Sequence, residues 1–329
     1  MKRALLIAGP TASGKSTVAL ALVERRGGTI VNADAMQVYR DLSVLTARPS
    51  EADERRAPHF LFGEVDAAEN FSVGRWLARA REILAETREG AGPLLFVGGT
   101  GLYFRALTDG LSDIPRVPEA VRARVRGGAE GRPTPALHAE LARRDPLTAA
   151  RLRVSDRQRV LRALEVLAAT GRPLAAFQGA REAPALGRSE WAGLFVAPNR
   201  DALNAQIDAR FEAMLRQGAL AEAEALMRRG LDPALPVMRA RRAAIDGAFA
   251  RRAFARRGRR TRGARDPPLR QAAIHLGAAP DARFRLGRAR GRRSGGGEGA
   301  RAEIAERVLR LASAQTARID PMWKFLLTR

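Results

Sequence analysis

Eight consecutive residues, Gly9-Pro10-Thr11-Ala12-Ser13-Gly14-Lys15-Ser16, limit what this chain can fold into more than any other stretch. They follow the apolar run Ala4-Leu5-Leu6-Ile7-Ala8 and precede Thr17-Val18-Ala19-Leu20-Ala21-Leu22-Val23, a strand, a glycine-rich turn and a helix. The spacing G-x-x-x-x-G-K-[ST] lets backbone N–H groups close around phosphate oxygens, and the helix N-terminus adds partial positive charge. Lys15 is placed to reach a terminal phosphate, and Ser16 or Thr17 to hold Mg²⁺. The motif specifies a diphosphate or triphosphate without saying which, or what is done with it.

Two further strand ends feed the same kind of crevice. Gly28-Thr29-Ile30-Val31-Asn32 reads as a short buried strand running into Ala33-Asp34-Ala35-Met36-Gln37-Val38-Tyr39-Arg40. In open α/β sheets ligands bind beyond the carboxyl ends of strands, which directs Asp34 toward the phosphate loop. A carboxylate there serves as magnesium partner, general base or loop cap. Pro93-Leu94-Leu95-Phe96-Val97 is fully apolar and runs into Gly98-Gly99-Thr100-Gly101-Leu102-Tyr103. That stretch is either a tight turn or a close backbone approach in which Thr100 offers its hydroxyl and N–H to a phosphate or reacting atom.

Between these, His59 to Val65 reads as an exposed or edge strand, with His59 in a surface or packing role. Ser72 caps a helix carrying Val73, Trp76, Leu77, Ala80, Ile83 and Leu84. From Asp113 to about Arg188 the pattern turns to arginine-faced helices. They begin at Val121, Ala136 and Asp156, and Val160, Leu161 and Leu164 face inward while Arg159 and Arg162 face out. The sheet resumes at Trp191 to Val196. A helix from Arg200 follows, with Arg210 off its stripe of Leu203, Ile207, Phe211, Met214 and Leu215, and another from about Leu220 to Arg229 stops at Gly230. The fold class is α/β, a mostly parallel sheet with an inserted helical domain. The domain expectation is a core of residues 1–112 and 189–240, a helical insertion 113–188 and an irregular Arg-rich tail 241–329.

The chain has 329 residues, no cysteine and no apolar run near the ~20 residues of a membrane span, so a soluble, cytoplasmic protein without disulfides is expected. Its net charge of +23 would ordinarily indicate nucleic acid, but from Arg239 onward 24 basic residues face 7 acids, so +17 of that charge belongs to the tail.

Taken together, the phosphate loop, Asn32 to Arg40, Thr46-Ala47-Arg48-Pro49, Gly98 to Tyr103, Gln158 to Val166, and Arg210-Phe211 with Met214-Leu215 resemble the tRNA dimethylallyltransferases, in order, over about residues 1 to 240. The resemblance implies a P-loop NTPase-like core in which Gly9, Pro10, Thr11, Ala12, Ser13, Gly14, Lys15, Ser16 and Arg210 hold the diphosphate of dimethylallyl diphosphate, with Mg²⁺ at Ser16 and Thr17. It implies Asp34 as the base taking a proton from the adenine amine and Thr100 at the reacting centre. The partner it implies is tRNA, met at its anticodon stem-loop by Asp34, Ala35, Met36, Gln37, Arg122, Gln158, Arg159, Val160, Leu161 and Arg162, with the enzyme a monomer. Two other classes fit parts of the chain: a small-molecule P-loop kinase using ATP, and an inactive remnant that binds RNA through its basic tail.

Two departures from the family pattern stand out. Ala35 replaces the usual serine. After Arg239-Ala240 the family's basic-aromatic stretch is absent, and a shifted reading frame accounts for this: codons permitted for Arg270 to Gly277, read one base later, encode A-K-R-Q-F-T-W. On that account residues 241 to at least 293 were never selected to pack, while Ile304 to Leu311 forms an isolated amphipathic helix. Resequencing the gene is the check on the frame. For the first departure, Ala35→Ser is expected to raise turnover; equal rates in the two proteins would show the hydroxyl to be dispensable.

Overall fold

The structure is a computed structural model describing residues 3–87, 92–179, 181–198, 200–233 and 235–238. The expectations for the tail, its helix and its reading frame lie outside these residues. In chain order the elements are β1 (Ala4–Ala8), α1 (Lys15–Arg26), β2 (Thr29–Asn32), α2 (Glu51–Arg56), β3 (His59–Phe60), α3 (Val73–Glu86), β4 (Leu94–Gly98), α4 (Gly101–Asp109), α5 (Glu119–Gly127), α6 (Thr134–Arg144), α7 (Pro146–Ala149), α8 (Arg157–Thr170), β5 (Trp191–Phe195), α9 (Arg200–Arg216) and α10 (Ala219–Arg228). A 3-10 turn covers Leu174–Phe177.

The chain divides into two compact units, one of Met1–Leu107 with the chain from Leu186 onward, the other Thr108–Ala185. In the first, five strands form one parallel sheet in the order β3-β2-β4-β1-β5. The apolar runs of β1 and β4 suit a sheet covered on both faces. Side chains alternate accordingly. Ile7, Ile30, Leu95 and Val97 pack against Val18, Ala19, Leu22 and Val23 of α1. On the opposite face Phe96 meets Trp76 of α3 edge-on, and Trp76 stacks on Tyr103 of α4 at 4.2 Å and 15°. Trp76 and Leu77, Ala80, Ile83 and Leu84 are the buried stripe anticipated for α3, whose N-terminus is capped by the Ser72 hydroxyl accepting from the Arg75 amide. The edge strand is only two residues long, and His59 is occupied structurally, with Nδ1 2.8 Å from the Ala57 carbonyl and its ring on Phe62.

The second unit is helical, around a core that includes Val117, Leu137, Leu141, Val160, Ala163, Leu164 and Val166. α8 is capped by Asp156, which accepts from the Arg159 amide, and ends at Gly171 in the left-handed conformation. One expectation fails here. Arg162 is half-buried rather than outward, because Glu165, only 2% exposed, draws it in beside Arg126: Glu165 pairs with Arg126 at 2.9 Å and with Arg162 at 3.8 Å. A buried carboxylate requires such partners.

Among the described residues no helix is long and apolar enough to cross a membrane. The Trp76 indole N–H donates to the carbonyl of Asn32 at 2.8 Å, in the last position of β2. Trp76→Phe removes that donor together with one of the two fused rings of a fully buried side chain, and is expected to lower unfolding free energy by about 1–3 kcal/mol through the hydrogen bond and further through the space left, read from a urea midpoint. An unchanged midpoint would show that the strand end is held without it.

Candidate functional site

Register brings three strand ends level. Ala8 lies opposite Gly98, and Asn32 opposite Val97, so the segments leaving β1, β4 and β2 emerge side by side. The loop after β1 turns back through Ala12 and Gly14, both with positive φ (62° and 85°), and enters α1 with Gly14 as its N-cap. Gly9 has no room for a side chain: a Cβ there would lie 2.7 Å from both Ser13 Oγ and the Val196 carbonyl oxygen. Ser13 is buried, and its Oγ finds no hydrogen-bond partner among the described residues. The Lys15 ammonium folds back over the loop and donates to the Pro10 carbonyl at 3.1 Å.

Asp34 is presented by a short chain of local bonds. Fully buried Asn32 accepts from the Asp34 amide at 2.7 Å through Oδ1, while its Nδ2 donates to the carbonyls of Asp34 and Leu61, each at 2.9 Å. Asp34 Oδ1 accepts from the Met36 amide at 2.9 Å. Asp34 Oδ2 lies toward the phosphate loop, since a Cβ placed on Gly99 would be 3.7 Å from both this oxygen and the Gly9 carbonyl oxygen. Thr100 is fastened to the same turn: its amide donates to the Ala33 carbonyl at 3.2 Å, and Oγ1 accepts from the Ala35 amide at 2.9 Å. The Thr100 hydroxyl proton therefore remains available to a substrate.

Arg210 reaches this group from α9, its Nη2 donating to the Thr46 carbonyl at 3.1 Å, with Nε buried and without a partner among the described residues. Burial lowers the Arg210 pKa, and the Asp34 charge opposes that shift. Burial likewise lowers Lys15 from its ordinary 10.5; Asp34 again opposes, and the Arg210 cation adds to the lowering. Two half-buried cations and one carboxylate thus share a small crevice beside a turn of free backbone amides, an arrangement that favours a multiply charged anion. Gln37 has a structural part, Nε2 bridging the Thr46 and Ala47 carbonyls at 2.9 and 3.1 Å.

Gly9 to Ser16, Asp34, Thr100 and Arg210 are thereby brought together, with Ala35, Met36 and Gln37 in the adjoining turn. Ser16 and Thr17 stand exposed in the first turn of α1. Arg122, Gln158, Arg159, Val160, Leu161 and Arg162 belong to the helical unit. Val160 is 0% exposed within that unit's core, so its side chain is closed to RNA; the requirement of α8 for an inward stripe overrides the role inferred from the motif. Arg122 pairs with Glu119 at 2.8 Å. Burial is the chief cause lowering the Arg162 pKa; Glu165 opposes it, and Arg122 and Arg126 add to it, which marks a local excess of positive charge.

Several supporting residues escaped the sequence reading. Asn32 reads as a strand end and as the start of the Asn32 to Arg40 stretch, without a role of its own, although a polar side chain closing an apolar run is a usable signal. Trp76 looked like core, and Glu222, which accepts from three loop amides, carried no signal at all.

Comparison with known proteins adds names to this geometry. A family model described as IPP transferase matches residues 37–244, and one described as isopentenyl transferase matches residues 2–58. A tRNA dimethylallyltransferase of Methylocella silvestris is 64% identical over 237 residues, 72% of this chain and 78% of that protein. One from Methylobacterium sp. (strain 4-46) is 61% identical over 254 residues, 76% and 83% of the two chains. Among solved structures, a eukaryotic dimethylallyltransferase acting on tRNA superposes with a TM-score of 0.61 at 19% identity, over 93% of this chain and 69% of that one. At that identity the likeness speaks for the fold.

The Lys15 shift has a testable sign. Between its lowered folded value and 10.5 the unfolded chain holds more protons at Lys15, so this residue makes unfolding free energy rise with pH across that window. Lys15→Met is expected to be more stable than the parent at pH 7, with the gap narrowing toward pH 10, while affinity for inorganic diphosphate falls but stays measurable. Denaturation at both pH values, with calorimetry for binding, checks it; a gap independent of pH would contradict the burial of a charged Lys15.

Proposed function

The chain belongs to the IPP transferase family, and from that premise we propose that it transfers a dimethylallyl group from dimethylallyl diphosphate to the exocyclic amine of the adenine next to the anticodon in tRNA, releasing diphosphate. The observation that carries the reading is the convergence of Asp34 Oδ2 with the phosphate loop across Gly99. A proton acceptor and an anion cradle sit within one crevice, as substitution at an allylic diphosphate needs.

In the proposed reaction the adenine nitrogen forms a bond to the first carbon of the prenyl group, and the carbon–oxygen bond to diphosphate breaks with its electron pair leaving on oxygen. An exocyclic amine is a weak nucleophile, so most of the barrier falls through stabilising that departing charge. The loop amides between Thr11 and Ser16 other than that of Ser13, which is given to the Pro10 carbonyl, the Lys15 ammonium and the Arg210 guanidinium are the groups placed to do so. Asp34 Oδ2 accepts the amine proton, Oδ1 being engaged by the Met36 amide; such a positioned base contributes on the order of 10²–10⁴-fold. Thr100, its oxygen already accepting from Ala35, donates its hydroxyl proton to the oxygen that bridges carbon and phosphorus.

The donor chemistry fits Mg²⁺. The hydroxyls of Ser16 and Thr17, exposed in the first turn of α1 beside the phosphate loop, are hard oxygen donors, and diphosphate and water would supply the ion's other ligands. Bound there, it would supply further positive charge for the leaving group.

The adenine has to leave the anticodon stack to reach the crevice. In the helical unit Arg126 and Arg162 share one buried carboxylate, Glu165, and the charge of Arg122, itself paired with Glu119, bears on Arg162, leaving net positive charge for RNA phosphates. Gln158, Arg159 and the half-buried Leu161 extend that face. On this reading the enzyme works as a monomer in the cytoplasm, where its tRNA is.

The test is incubation of the full chain with dimethylallyl diphosphate, Mg²⁺ and unmodified tRNA, followed by mass analysis of nucleosides. Prenylated adenosine is expected, reduced roughly 10²–10⁴-fold in rate by Asp34→Asn with diphosphate affinity retained. Hydrolysis of ATP without prenylated nucleoside would replace this reading with a kinase.

A further inference from the structure

The loop from Asp41 to Arg48 carries the two carbonyls that hold Arg210 and Gln37, yet much of it is neither helix nor strand. Ala47, next to last in it, has φ of 46°, a left-handed conformation unfavourable to a residue with a Cβ. Such a conformation persists only where neighbours over-determine it. Within the loop the Ala47 amide donates to the Val44 carbonyl and the Arg48 amide to the Ser43 carbonyl, each at 3.0 Å, and two side chains reach the loop from outside, one from α10 and one from the residue that caps it.

Glu222 spans three consecutive backbone amides. Oε1 accepts from the Ser43 amide and, at 3.1 Å, from that of Val44, while Oε2 accepts from the Leu45 amide at 2.7 Å. Successive N–H groups converging on one carboxylate form an anion-binding concavity, here filled by the protein's own side chain. Seven residues on, two turns along the same helix face, Arg229 pairs with Asp41 at 2.5 Å and with Asp66 at 2.6 Å. Ala219, Ala223 and Leu226 are buried along that stripe, so the helix is seated by apolar contact while its polar side chains take hold of the loop.

We propose that Glu222 is the positioning residue for Arg210: by binding the amides of Ser43, Val44 and Leu45 it fixes the Thr46 carbonyl at which Arg210 Nη2 is held, and thereby the guanidinium's place against the diphosphate. The role rests on the prenyl-transfer reading only in naming the diphosphate's source. α9 delivers the cation and α10 delivers its anchor, both to one loop. Without the carboxylate three adjacent amides lose their acceptor and the strained peptide at Ala47 relaxes. Arg210, whose Nη2 bond is the one fixed point described for its guanidinium, then loses its aim.

The test is a double-mutant cycle on the full chain, using inorganic diphosphate with Mg²⁺ in a calorimeter. Glu222→Ala is expected to weaken binding about 10-fold, a coupling of ordinary size for residues in one network. Arg210→Ala should weaken it at least as much, and the double variant should bind no worse than Arg210→Ala alone. Glu222→Ala combined with Lys15→Met should instead multiply, because Lys15 hangs from Pro10 and not from this loop. Parental affinity in Glu222→Ala, or multiplication with Arg210→Ala, would overturn the role. Glu222→Gln keeps the side chain's volume and carries the same cycle should the alanine variant not accumulate. Prenyl transfer is followed in parallel. A coupled cycle in a protein that makes no prenylated tRNA would leave the positioning role standing and sink the functional reading, whereas prenyl transfer with an uncoupled cycle would do the reverse.

Discussion

The structure depends on β4 lying between β2 and β1 with all three strands parallel and their ends level. A parallel neighbour can only be reached by a crossover, so the chain must leave the sheet after every strand at the same edge. Here it leaves through the phosphate loop, the Asp34 turn and the Thr100 turn. Crowding follows at once. A Cβ on Gly98 would sit 2.1 Å from the Ala33 carbonyl, so only glycine admits the close approach that lets Thr100 bond to both Ala33 and Ala35. Chemistry and packing are satisfied by the same backbone contact.

Charge is the second constraint. Lys15 and Arg210 are half-buried, and among the described residues Asp34 is the charge of opposite sign that acts on both, so the crevice holds more positive charge than it neutralises. Burial of such groups works against folding unless they are hydrogen-bonded. Each is tethered to a carbonyl, Pro10 or Thr46, which orients it without cancelling its charge. A crevice prepared in this way need not reorganise as an anion forms, which is where preorganised sites gain most of their effect.

Much of this was readable from residue order because it rests on local, periodic signals. The runs at Ala4 and Leu94, the glycine spacing from Gly9 to Gly14, the Ser72 cap and the stop at Gly230, whose φ is 60°, each express a preference of the backbone itself. What was hidden involves distant partners. Trp76 looks like any core tryptophan until its N–H is seen on Asn32, and Arg162 looks like a solvated face until Glu165 is found buried beneath it. Glu222 is separated by 177 residues or more from the amides it binds, and no periodicity encodes such a bond.

The helical unit leaves the sheet-containing unit after Leu107 and the chain returns at Leu186, and these two residues are joined directly, the Leu186 amide donating to the Leu107 carbonyl at 3.0 Å. Exit and re-entry are thus already stitched together, and the sheet's connectivity closes without anything the intervening 108–185 segment supplies. An ancestral or engineered chain could carry a different module there, or a short hairpin, with strand order and crevice untouched. What the 108–185 segment contributes and what the sheet contributes could then evolve at separate tempos.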